Sequence, residues 1–273
     1  MKKIFFGLLF IGIASAVTAQ DMPSADAVID KYLAAIGGKE AIAKIEDISI
    51  STMAETQRGS MEAEVKMKAP NKFSSIMFMM GNEVMRSTGD GEKVATVSGF
   101  GGNTNTRTAE GKDAVAQILQ NVPFPEMLYA QYNIQKTVVG KEAVNGKDAW
   151  KVELTIPEGR KWNDFFDVES GLKVKRSVEG MPGGRGGTGG QRPDGQQGGG
   201  QPGGGQGGGQ RGGFGGGMGG MMNVVFSDYK EIKGTGVKIP YLREQGNAQF
   251  STKAEVSGVK VNKGIKEKEF VIK

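Results

Sequence analysis

The chain has 273 residues, 24% of them charged and 37% hydrophobic, with a formal net charge of +5 and neither histidine nor cysteine. Those two absences remove His-based triads and general bases, thiol nucleophiles, thiolate metal sites and disulfide staples. Stability therefore has to come from a packed core, and no cofactor or metal is expected.

The N-terminus places Lys2 and Lys3 before an apolar run from Ile4 to Ile13 and small residues ending at Val17-Thr18-Ala19. This pattern predicts a secretory signal peptide over residues 1–19, cut after Ala19 or Gln20. Its apolar core is shorter than the roughly 20 residues a membrane span needs, so no transmembrane span is expected. Loss of Lys2 and Lys3 lowers the charge to +3, spread among mixed signs, which argues against a nucleic-acid partner. No cysteine follows to accept a lipid anchor. Residues 20–273 are expected to form a single domain.

Val28, Ile29, Tyr32, Leu33 and Ile36 fall at helical spacing, with Ser24 as an N-cap and Gly37-Gly38 as a stop. A second short helix is predicted from about Lys39 to Ile45. From Ile48 the period changes to two. In MEAEVKMKA, Met61, Ala63, Val65, Met67 and Ala69 alternate with Glu62, Glu64, Lys66 and Lys68, as a strand with one dry and one wet face requires. FSSIMFMM, EVMRST and KVATVSG follow, separated by the turn dipeptides Gly81-Asn82 and Asp90-Gly91. Val115, Ile118 and Leu119 restore a helix that Pro123 and Pro125 end. Further strands are expected in YNIQKTVVG, DAWKVELTI, KWNDFFDV and LKVKRSVE, then in NVVFSDYKEI, VKIPYLREQ, AQFSTKAEVSGVKV and a final KEFVIK. The fold class is α+β, antiparallel, with about three helices.

Residues 181–222 interrupt this rhythm with a tract dominated by Gly, Gln and Pro. Its composition predicts a disordered coil standing where a hairpin turn would be. G-x-G-x-x-G occurs in it only because glycine is everywhere, and no strand, helix or GK[ST] element accompanies it. Arg185-Gly186-Gly187 and Arg211-Gly212-Gly213 resemble RGG boxes, yet there are only two of them. A solvated spacer or surface contact is the simpler reading.

Methionine stands out elsewhere. Met53, Met61, Met67, Met77, Met79, Met80 and Met85 crowd the first half, several at positions that should share a strand face. Unbranched and polarisable, methionine can repack around acyl chains or simply fill a core, and both readings stand. Asp164, Asp167 and Glu169 read as solvated groups near a hairpin end. No catalytic constellation is present.

The segments DAVIDKYLAAIGGKEAIAKI, APNKF, VNGKDAWKVEL, FFDVESGLKVKR and FSDYKEIKGTGVKIPY together resemble the LolA/LolB-like superfamily of periplasmic outer-membrane lipoprotein-sorting proteins. They are also similar to a noncatalytic domain appended to some secreted insulinase-type zinc proteases. The resemblance implies a strongly curved, open antiparallel sheet, an incomplete barrel whose concave face is covered by helices. It also implies a cavity for the acyl chain of a lipid or lipoprotein, in the periplasm or at the outer membrane. Strand alternation nominates Met67, Ile76, Phe78, Met80, Trp150, Val152, Leu154, Phe166 and Val168 as cavity lining, with Val28, Leu33, Ile118 and Leu119 lying over it. The alternative is a structural or interaction module partnering a secreted protease or another envelope protein, with the Gly-rich tract as its contact.

Overall fold

The computed structural model describes residues 22–56, 59–100, 103–178, 222–246 and 251–272. The expected signal peptide and the tract over 181–221 lie outside them.

Among the described residues, thirteen strands form one antiparallel sheet. In chain order they are β1 (Asp47–Thr56), β2 (Gly59–Lys68), β3 (Lys72–Met79), β4 (Asn82–Gly89), β5 (Val94–Phe100), β6 (Asn103–Ala109) and β7 (Gln135–Val144). They continue as β8 (Lys147–Thr155), β9 (Lys161–Asp167), β10 (Lys173–Val178), β11 (Met222–Glu231), β12 (Lys238–Gly246) and β13 (Ser251–Val261). Across the sheet the order is β6-β5-β4-β3-β2-β1-β13-β12-β11-β10-β9-β8-β7, so β1 and β13 join two meanders at the centre and β6 and β7 are the edges. Three helices cover one face: α1 (Ala25–Ala35), α2 (Lys39–Ala43) and α3 (Gly111–Asn121).

Laid flat, thirteen strands spaced by about 4.8 Å would be almost 60 Å wide, whereas an 11-residue helix such as α3 is only about 16 Å long. Yet α3 packs on β3 and β5, and its Lys112 Nζ donates to the carbonyl of Glu158 in the β8–β9 turn at 2.7 Å. β5 and β8 are near opposite ends of the sheet order. Only a strongly curved sheet brings them under one short helix. The helices therefore sit on its concave side, and the barrel stays open between β6 and β7.

The helices form where the periodicity predicts them. The Ser24 hydroxyl accepts the N–H of Ala27 at 3.1 Å and caps α1, which buries Val28, Ile29, Tyr32 and Leu33. At its other end the Gly38 N–H bonds the Leu33 carbonyl at 2.8 Å, and the Ile36 carbonyl accepts from Lys238 of β12. The chain after β13 is tied down by two side chains. Asn262 Oδ1 accepts the backbone N–H groups of Glu46 at 2.9 Å and Asp47 at 3.3 Å, and the buried Asp47 carboxylate accepts those of Lys263 and Gly264 at 2.9 Å.

Register sorts the side chains of the first meander. Ile48, Met67, Phe73, Gly89 and Val94 form one row across β1 to β5. Ile48, Met67, Phe73 and Val94 belong to the main buried core, so this is the concave face. Residues two apart share it.

Two expectations need correction, and one strand carries no signal in the sequence. KEFVIK is not a strand: Glu267–Phe270 is a 3-10 turn whose Glu267 and Glu269 pair with Lys68, Lys72 and Lys66 on the convex face while Phe270 is buried. β6, NTNTRTA, has almost no apolar residue to signal it, and forms as the last, singly paired edge strand. Of the three acids expected to be solvated only Glu169 is exposed: Asp167 is buried, and Asp164 is wholly buried on the concave side.

Candidate functional site

The concave face has two parts. Where α1, α2 and α3 cover it, it is filled. Val28, Leu33, Met67, Ile118, Leu119, Val152, Leu154 and Phe166 all belong to one buried cluster, with Trp150 packed against it. The Tyr32 and Phe166 rings stand 5.4 Å apart between α1 and β9. These nine predicted residues are brought together, as a packed plug.

The remaining four predicted residues lie elsewhere. Ile76 and Phe78 pair with Glu64 and Glu62 and face the convex side, with Ile76 buried there. Met80 occupies the β3–β4 turn at φ 48° and is 62% exposed. Val168 follows β9, where its carbonyl accepts from Lys31 Nζ of α1 at 2.7 Å. FSSIMFMM is apolar on both faces, so alternation could not choose between them. The hairpin does choose: KAPNK pairs Lys68 with Lys72 on the wet side, which leaves Met67 and Phe73 on the dry one.

Away from the plug, the concave face is lined by methionines that are only half-buried around a buried Ala54. Ala54, Met61 and Met79 form one row, Thr52, Ala63, Met77 and Met85 the next. Met61, Met77, Met79 and Met85 are each partly exposed. The row through Ala54 continues across Ala254 of β13 and Arg243 of β12 to Phe226 of β11. The result is a trough with a small-residue floor, Ala54 and Ala254, flanked by methionines on one side and an arginine on the other.

Beside the trough lies a charged cluster that the sequence reading did not find. Arg176 on β10 holds Asp164 on β9 in a bidentate pair, at 2.7 and 2.8 Å. Lys173 on β10 reaches Glu126, after α3, at 2.5 Å. Both carboxylate side chains are fully shielded. Burial works to raise the Asp164 carboxyl, but the Arg176 charge and hydrogen bonds outweigh it and hold it below the ordinary carboxylate range. The same pairing lifts Arg176. Three tyrosines surround the pairs. Burial and the Glu126 charge push the Tyr32 and Tyr129 phenols well above their usual value, and burial raises Tyr229. The Tyr229 hydroxyl donates to the Lys173 carbonyl at 2.8 Å. Lys173 also sits over the rings of Tyr32 and Phe226, and Arg176 over Trp162.

Pairs of this kind could have been glimpsed in the sequence. Asp164 is flanked at two-residue spacing by Trp162 and Phe166, so it shares their dry face, where a carboxylate is costly unless a cation or hydrogen-bond donors accompany it.

A cleft between α3 and β9–β10, bounded by Leu119, Trp162, Arg176 and Val178, has a cavity volume of about 20 Å³. That is room on the scale of a water molecule. It is far too small for an acyl chain, so the open trough is the candidate site. Among the described residues no cluster of acidic groups could hold a metal ion, and no helix is long and apolar enough to cross a membrane.

This open, curved antiparallel sheet is similar in fold to several solved structures. A LolA superfamily protein from Nitrosomonas europaea superposes with a TM-score of 0.53 at 9% identity, over 92% of this chain and 99% of that one. A DUF1329 family protein from Desulfovibrio piger gives 0.51 at 12% identity, over 92% and 98%. A putative outer membrane lipoprotein-sorting protein domain from Vibrio parahaemolyticus gives 0.45 at 13% identity, over 89% and 97%. No sequence family and no curated protein matches the chain. The likeness is one of fold.

Proposed function

We propose that the protein is an exported, noncatalytic envelope protein that binds the acyl chain of a lipid or of a lipid-modified protein. The carrying observation is that Met61, Met77, Met79 and Met85 share one half-buried concave face beside the packed plug. Such a face can repack around flexible hydrocarbon. Binding draws on roughly 25 cal/mol per Å² of apolar surface removed from water, offset by the cost of immobilising the chain. The signal-like residues 1–19 and the LolA-like fold support a periplasmic or outer-membrane-associated location. The missing His and Cys remove imidazole bases and thiol nucleophiles, which supports a noncatalytic role.

The test is uptake of a fluorescent fatty acid by the protein from residue 20 onward. Uptake is expected, and Met77→Glu combined with Met79→Glu should abolish it while circular dichroism stays native. Phe78→Glu, on the convex face, should leave uptake intact. A folded protein that takes up no probe overturns the proposal.

A further inference from the structure

Arg243 is unlike the other interior cations. Lys173 and Arg176 each have a carboxylate, Glu126 and Asp164, in direct contact. Arg243 instead has the Tyr229 and Tyr32 hydroxyls and a second guanidinium, Arg176, in its surroundings, and no ion pair with a carboxylate among the described residues. Its Nε is buried and has no hydrogen-bond partner among the described residues. Among the described residues the two pairs cancel, which leaves the Arg243 guanidinium without a compensating charge. A desolvated cation in that position is costly unless something neutralises it. Burial accordingly pushes its guanidinium below the ordinary arginine value.

Its location gives the charge a use. Arg243 lies in the same cross-strand row as Ala254, Ala54, Met61 and Met79. With strands spaced by about 4.8 Å, Met61 is three strands away, about 14 Å along the floor. A cation at one end of an apolar trough matches an amphiphile with a charged head and a hydrocarbon tail. The planar fork of a guanidinium suits carboxylate and phosphate oxygens alike.

We infer that Arg243 is the head-group site of the trough, and that the ligand is a single-chain amphiphile with an anionic head, its tail running over Ala254 and Ala54 toward Met61 and Met79. The inference rests on the acyl-chain reading above and adds the chemical class of the ligand. Neutral lipids of the same tail should bind less well, because they leave the guanidinium desolvated and unpaired.

The experiment measures displacement of a fluorescent fatty acid by palmitate, methyl palmitate and palmitoyl lysophosphatidic acid, on wild type, Arg243→Met and Arg243→Lys. Wild type should prefer the charged ligands over the ester by about tenfold, the scale of a charge-assisted hydrogen bond. Arg243→Met should lose that preference while still binding the ester, and Arg243→Lys should keep most of it. A stronger competition by palmitate than by the lysophospholipid identifies a carboxylate head, and the reverse a phosphate; either supports the inference. Equal binding of acid and ester by wild type, or a preference that survives Arg243→Met, overturns the head-group site and leaves the acyl-chain reading standing. If none of the three ligands competes and the probe itself does not bind, both fail.

Discussion

Arg176 grips Asp164 from the neighbouring strand, Nε to Oδ1 at 2.7 Å and Nη2 to Oδ2 at 2.8 Å, with the carboxylate wholly shielded from water. Removing one member leaves the other as an uncompensated interior charge. Asp164→Ala should therefore destabilise the protein by about 3–5 kcal/mol, whereas the double variant Asp164→Leu with Arg176→Met should recover most of that. Chemical denaturation of the three proteins checks the order.

The same pair sets an acid limit. The folded-state value of Asp164 lies below the ordinary carboxylate value of about 3.9. The stabilisation it contributes is thus fully present above that ordinary value and is lost as pH falls from there through the folded value. Tm of the wild type should drop steeply below about pH 4, and the double variant should lose less over the same window. Parallel acid profiles for the two would show that Asp164 is not the group responsible.

At the end of α1, Gly37 has φ 124° and Gly38 φ 90°. A Cβ on Gly37 would run into the carbonyl oxygen of Gly236, whereas one on Gly38 would meet nothing within 4 Å. Gly38, at ψ 154°, lies in the extended positive-φ region that glycine almost alone adopts, so Gly38→Ala carries backbone strain of about 1–3 kcal/mol and no clash. Gly37→Ala adds displacement of the loop that fastens β12 to α1, where the Ile36 carbonyl accepts from Lys238. Gly37→Ala should thus have the lower Tm by several degrees, on a scale of about 2–4 °C per kcal/mol for a chain of this size. Equal Tm values would mean the loop yields freely.

How far the sequence could be read divides along a physical line. Wherever one face is wet and the other dry, as in MEAEVKMKA, or a cap and a glycine stop bracket a helix, as in α1, local pattern matched the structure. It failed where both faces are apolar. Ile76 and Phe78 look as dry as Met77 and Met79, because the convex side of β3 is covered by the 3-10 turn ending at Phe270, a contact nearly 200 residues away in sequence. It failed again for buried charge, since Asp164 reads as polar until its partner Arg176 is placed beside it across a hairpin. The division of the concave face into plug and trough depends on where α1, α2 and α3 land, which no single strand records.

That division is testable with two methionines on one face. Met67 is 5% exposed within the core, and Met67→Ala should cost about 2–5 kcal/mol with uptake of a fluorescent fatty acid per folded molecule unchanged. Met79, half-buried in the trough, should cost about 1 kcal/mol or less on truncation to Ala, yet reduce uptake. Denaturant midpoints and probe titrations on the same samples separate the two effects. A reversed pattern would place ligand in the plug.

The last prediction concerns the Gly-rich tract. Val178 of β10 and Met222 of β11 are direct register partners, so the hairpin is already closed at the point where the tract leaves and returns. Replacing residues 180–220 with a four-residue turn should leave the β10–β11 ladder, and with it Arg176 and Phe226, in place. For the coil that its composition predicts, closure entropy changes by about 0.6 kcal/mol per doubling of length, which caps the gain in stability near about 2 kcal/mol. Fatty-acid uptake should match that of the intact chain, because none of the trough residues belongs to the tract. Loss of uptake in a shortened protein with a native circular dichroism spectrum would move the binding function out of the sheet and into the tract, as expected of an adhesion module.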